Sequence, residues 1–129
     1  PIAFEATADS GHSVVMDGSP DNGGDNMGSR PMEMMLMGLG GCSGIDVALI
    51  LQKGRQQVSD CRIEIEGQRA DAVPAVFTDI HVHYTITGKQ LDPKKVARAI
   101  SLSMEKYCSV TRMLEASVNI THDFYIVEQ

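Results

Sequence analysis

Three cysteines, Cys42, Cys61 and Cys108, are the side chains in this 129-residue chain best suited to covalent or redox chemistry. Cys42 lies within residues 30–51, an almost wholly apolar run in which Met35, Leu39, Asp46 and Leu49 recur around it at helical spacing. Cys108 stands before Ser109, which can cap a short helix, with Lys106 and Arg112 close in sequence. A thiol at a helix N-terminus beside cations has a lowered pKa. A buried cysteine can equally be a small packing residue, and that is the ordinary reading of Cys61, which shares the apolar phase of its segment. His81 and His83, two residues apart on one strand face, could chelate a metal. Opposite Glu64 and Glu66 they also read as a polar sheet face, and without CxxC or HExxH spacing we expect no metal and no cofactor.

The elements that must position these groups are legible from periodicity. Ile2, Phe4 and Ala6 alternate with polar residues, Asp9-Ser10-Gly11 supplies a turn, and Ser13-Val14 returns, which predicts a β-hairpin. Residues 17–25 are dense in turn formers and predict a mobile loop; no Lys-Ser or Lys-Thr pair follows that would make it a phosphate cradle. Pro31 suits the first position of a long helix and Gly54 its stop. Inside that helix Gly38, Gly40, Gly41 and Gly44 each cost about 1 kcal/mol relative to alanine. Their presence points to close approach of another backbone or a substrate, with Met35, Gly38 and Leu39 the expected pocket wall.

Residues 61–66 and 79–86 alternate with period two and predict neighbouring antiparallel strands, with Ile63, Ile65, Ile80, Val82, Tyr84 and Ile86 inward. A second helix follows, capped by Asp92 with Pro93 in its first turn, and Val96, Ile100, Met104 and Tyr107 form its buried stripe. A short helix after Cys108 and a last strand over residues 118–125 complete an α+β domain, residues 1–129, of antiparallel sheets packed on two main helices. A long helix apolar on nearly all sides exceeds what one small sheet can cover, so an intertwined homodimer is expected.

Composition narrows the function. A composition of 43% apolar and 22% charged residues is ordinary for a soluble globule, and a net charge of −6 without a basic stripe argues against nucleic acid as a partner. An odd number of widely spaced cysteines fits a reducing cytoplasm better than a disulfide framework. The start at Pro1 shows no charged and apolar signal segment, and the missing Met leaves room for residues upstream. Asp46 interrupts the long apolar run, at about 3 kcal/mol for an aspartate at a bilayer centre, so no membrane partner is expected.

Pro31-Met32-Glu33-x-x-Leu36-x-x-x-Gly40-Gly41-Cys42, together with Lys106-Tyr107-Cys108-Ser109-Val110, resembles the superfamily of osmotically inducible protein C (OsmC) and organic hydroperoxide resistance protein (Ohr). The resemblance covers essentially the whole chain. It is nearest to the YhfA-like branch through residues 40–47, 51–56, 105–110 and 118–122. It implies an OsmC-like fold, a swapped dimer with active sites at the interface, a peroxidatic thiol at Cys42 and a resolving thiol at Cys108. In the Ohr branch a glutamate directly after the proline orients an arginine over the reactive thiol. Here Met32 stands at that place, and Glu33 follows one residue later, turned by about 100°. Arg30 and Arg112 are the candidate arginines, and Asp46, one turn after Cys42, raises the thiol pKa unless a cation answers it.

On these readings the chain is expected to be a cytoplasmic thiol-dependent hydroperoxide reductase that prefers organic hydroperoxides and is reset by an unidentified dithiol. The alternative is a redox-sensing or small apolar ligand-binding member of the same fold. A partner-binding structural subunit is the third class.

Overall fold

The computed structural model describes residues 2–129 and separates into two compact units, Pro1–Met37 and Gly38–Gln129. In the first unit, strands β1 (Phe4–Thr7) and β2 (Ser13–Met16) pair antiparallel with Phe4 opposite Met16 and Thr7 opposite Ser13, the hairpin that alternation predicts. Gly11 closes the turn at φ +88°, a conformation that favours a residue without Cβ.

The loop that follows is tied down rather than free. The Asp17 carboxylate accepts the N–H groups of Gly18, Asp25 and Met27 at 2.8, 3.0 and 3.1 Å. Those donors, Met27 first, hold its pKa below the ordinary value. Turn composition marks a loop; it does not report a carboxylate that collects the loop's own backbone donors.

Helix α1 (Pro31–Lys53) starts and stops at the punctuation expected, with the Gly54 N–H closing on the Ile50 carbonyl at 2.9 Å. The Glu33 carboxylate accepts the Arg30 N–H at 2.8 Å, one half of a capping box, and the Arg30 guanidinium binds Asn26 Oδ1 and the Gly28 carbonyl. By length and composition α1 could cross a bilayer. Its residues from Leu39 to Leu51 instead present a buried stripe of Leu39, Ser43, Val47 and Leu51.

In the second unit, strand β3 (Gln57–Arg69) pairs antiparallel with β4 (Phe77–Lys89), placing Ile63 opposite Tyr84 and Ile65 opposite Val82. Ile80, Val82, Tyr84 and Ile86 point to the core, as alternation requires. Gly40 and Gly44 explain part of the glycine content of α1: a Cβ on either would press on Ile65 Cδ1 at 2.8 Å or Ile63 Cδ1 at 3.0 Å. A Cβ on Gly38 or Gly41 would meet nothing within 4 Å among the described residues.

Helix α2 (Pro93–Leu102) is capped by Asp92, whose Oδ1 accepts the Lys94 N–H at 2.9 Å, and it buries Val96, Ala99 and Ile100. The expected helix over the next five residues is instead a π-helical turn, Ser103–Tyr107, closed by the Cys108 N–H on the Ser103 carbonyl at 2.8 Å. That wider turn delays the stripe by one residue, so Met104 stays buried while Tyr107 turns outward.

Helix α3 (Ser109–Leu114) leads into strand β5 (Asn119–Glu128), which lies beside β4 in the order β3-β4-β5. The antiparallel expectation holds for β3 and β4. Strand β5 runs parallel to β4, because the chain returns through α2 and α3 to the end of β4 from which that strand began.

Candidate functional site

Residues Cys42, Ser43 and Asp46 lie on the part of α1 that belongs to the second unit, with Cys42 and Asp46 one turn apart and both half-buried. Cys108 comes from the junction between the π-helical turn and α3. There it is the N-cap of α3, its buried Sγ accepting the Thr111 N–H at 3.5 Å. The fold thus brings the two thiols together: the Sγ atoms of Cys42 and Cys108 and a carboxylate oxygen of Asp46 all lie within 4.8 Å of one another.

A chain of buried hydroxyls supports this cluster from below. Ser43 Oγ is 2.6 Å from the Tyr84 hydroxyl and 2.8 Å from Ser103 Oγ, and Ser103 Oγ donates to Asp46 Oδ2 at 3.1 Å. Ser43, Tyr84 and Ser103 are fully buried, and every buried side-chain polar atom among the described residues has a partner. Burial pushes the Tyr84 hydroxyl up to about 12, although the Ser43 hydrogen bond acts in the other direction. Ser43 and Thr111 hydroxyls also donate to the Met104 sulfur at 3.6 and 3.7 Å.

The electrostatics of Cys108 run opposite to the expectation. Burial, rather than the helix end, dominates and raises its pKa; the Thr111 hydroxyl and N–H lower it only in part, and the neighbouring Cys42 raises it again. The cations do not answer the thiol either. Arg112 is exposed and pairs with Glu115 at 3.3 Å, and Lys106 sits 5.3 Å from the Tyr107 ring centroid.

The remaining candidates fall elsewhere. Glu33 caps α1 in the first unit, Met35 is half-exposed there, and Gly38 is exposed. Leu39 has no exposed surface and belongs to the buried stripe of α1. A cleft of about 760 Å3 borders Met104 and Thr111 and is lined further by Val118, Ile120 and His122. Cys61 lines a separate cavity of about 280 Å3 with Val47, Leu51 and Val58, and burial followed by Asp60 raises its pKa. His81 and His83 converge on one oxygen of Asp123, at 2.8 and 2.7 Å, on the outer sheet face. Their hydrogen bonds, His83 first, lower the Asp123 pKa.

Sequence reasoning found the thiols and Asp46 but not Ser43, Ser103, Tyr84 or Thr111 as parts of the site. The available signal was a serine on each buried helical stripe: Ser43 between Leu39 and Val47, and Ser103 one turn after Ile100. A polar residue there needs a partner when buried.

This α+β unit carries its dithiol between the long helix and a helix junction, and the family model described as OsmC-like protein matches residues 23–123. The chain belongs to that family. It is 51% identical over 126 residues to Protein YhfA of Escherichia coli strain K12, covering 98% of this chain and 91% of that protein. A solved structure described as "structural genomics" matches with TM-score 0.91 and 46% identity, covering 100% of this chain and 93% of that one. The organic hydroperoxide resistance protein OhrB of Bacillus subtilis shares the fold, with TM-score 0.61, 16% identity and coverage of 95% and 96%.

Proposed function

We propose that this protein is a cytoplasmic two-cysteine hydroperoxide reductase with a preference for organic hydroperoxides. The observation that carries the reading is the proximity of the Cys42 and Cys108 sulfurs, within 4.8 Å across two elements far apart in sequence. Cys42, the less buried thiol, attacks the O–O bond of ROOH; the product is a Cys42 sulfenic acid and the alcohol ROH. Cys108 then attacks the sulfenic sulfur, forming the Cys42–Cys108 disulfide and releasing water, and an external dithiol reduces the bridge. Asp46, within reach of both sulfurs and oriented by Ser103, takes the thiol proton and passes it to the departing oxygen in each step. The raised pKa of Cys108 suits a thiol that stays protonated until the sulfenic acid has formed. Met32, Met34, Met35 and Met37, ahead of Cys42 in sequence, support the organic preference.

The same reading assigns the chain, as one OsmC-like domain, to a homodimer. Gly38, Gly41, Ile45 and Leu49 form an exposed apolar stripe along α1, Ile45 and Leu49 being 65% and 50% exposed. Two of these residues are helix-weakening glycines at which a Cβ would meet nothing within 4 Å among the described residues. A second copy seated on this stripe gives both the apolar surface and the glycines a use.

Intact-protein mass spectrometry tests the reading. One equivalent of an organic hydroperoxide added to reduced protein is expected to remove two hydrogens from the mass, with peptide mapping to a Cys42–Cys108 bridge. Thiols that stay reduced, or slow modification of Cys61 alone, would leave the redox-sensing or ligand-binding alternative.

A further inference from the structure

We infer that Cys42, Asp46 and Cys108 form a binding site for one thiophilic divalent metal ion of the zinc type. Two sulfurs and one carboxylate oxygen lie within 4.8 Å of one another. Donors around a tetrahedral zinc ion, at about 2.3 Å for sulfur and about 2.0–2.2 Å for oxygen, stand a little under 4 Å apart. Side-chain adjustments of about an ångström therefore gather all three onto one ion. Cys42 and Asp46 project from one face of α1 at helical spacing, and Cys108 faces them from the N-cap of α3, so the donors come from two packed elements.

The surroundings are those of a supported ligand set. Ser103 donates to Asp46 Oδ2, Ser103 is bonded to Ser43, and Ser43 to Tyr84, so the carboxylate is anchored through buried hydroxyls to β4. The Thr111 N–H points at Cys108 Sγ and stabilises a thiolate there. Two soft thiolates with one carboxylate favour zinc and similar ions over magnesium or calcium, which take oxygen donors. Binding releases the two thiol protons to buffer and changes no oxidation state, since zinc is redox-inert. Three protein donors leave one tetrahedral position for water or an external ligand. Because the ion and a disulfide use the same two sulfurs, the metal-bound and oxidised forms exclude each other.

The site does not depend on the peroxidase reading, and its test uses no peroxide. Reduced full-length protein is titrated anaerobically with Co(II), then with Zn(II). The expected result is one Co(II) per chain, with a near-ultraviolet sulfur-to-cobalt charge-transfer band and tetrahedral visible bands that Zn(II) abolishes. Cys42→Ser and Cys108→Ser should each roughly halve the charge-transfer intensity, and Cys61→Ser should leave it unchanged. Ser103→Ala keeps the bands but weakens affinity by about tenfold, as expected for loss of a support rather than a ligand. In the unmutated protein, Zn(II) should protect Cys42 and Cys108, but not Cys61, from alkylation mapped by peptide mass, so the test survives a variant that fails to fold. Absence of the charge-transfer band, its loss in Cys61→Ser, or binding without sulfur bands, as at His81, His83 and Asp123, overturns the site.

Discussion

Ser103 donates a hydrogen bond to Asp46 at 3.1 Å from a position with no exposed surface, so the carboxylate beside the two thiols is oriented from inside the core. The π-helical turn Ser103–Tyr107 begins at that serine and ends one residue before Cys108, so one local irregularity positions both the carboxylate's partner and the second thiol.

The two thiols should separate by chemistry. Cys42→Ser is expected to abolish hydroperoxide consumption. Cys108→Ser should consume one equivalent and stop at a sulfenic acid that dimedone traps on Cys42. Sustained turnover by Cys42→Ser in a coupled peroxide assay would remove Cys42 from the chemistry.

Ser43 and Tyr84 should behave as one unit in stability. Ser43→Ala leaves the Tyr84 hydroxyl buried without the partner at 2.6 Å, at a cost of about 1–3 kcal/mol. Adding Tyr84→Phe to Ser43→Ala should cost less than the two single changes summed. Urea denaturation of the four proteins in the cycle reads this directly, and strict additivity would mean that the bond contributes nothing.

The pH dependence of stability at alkaline pH follows from the same tyrosine. Its folded-state pKa is raised from 10 to about 12, so above pH 10 the unfolded chain binds fewer protons than the folded one. The stability this group contributes at and below pH 10 is therefore lost as pH rises from 10 towards 12, by roughly 2–3 kcal/mol. Tyr84→Phe should flatten that limb in denaturation curves measured across the window; an unchanged slope would assign it to other groups.

Gly41 distinguishes a free helix face from a covered one. Its added Cβ meets nothing within 4 Å among the described residues, so in a monomer Gly41→Ala should stabilise α1 by up to about 1 kcal/mol. If a second copy lies on that face, the methyl group should instead weaken the dimer in sedimentation velocity and lower the melting temperature at a fixed protein concentration. A more stable protein with unaltered association would place the partner on another surface.

The glycine and proline punctuation of α1, the Asp92–Pro93 start of α2, the paired alternation of β3 and β4, and the two motif cysteines were all readable from residue order, because they rest on contacts one to four residues apart. Family membership was readable for the same reason: it is carried by contiguous runs around Cys42 and Cys108. The parallel placement of β5, the joining of Cys42 to Cys108 and Asp46, and the hydroxyl chain to Tyr84 were decided only by the tertiary structure. Each depends on how far the chain travels between elements before it returns, which no local period encodes. Cys108 shows the limit most directly. Its neighbours in sequence, Lys106 and Arg112, argue for a lowered pKa, but folding turns both cations away and buries the sulfur, and desolvation then outweighs the helix end.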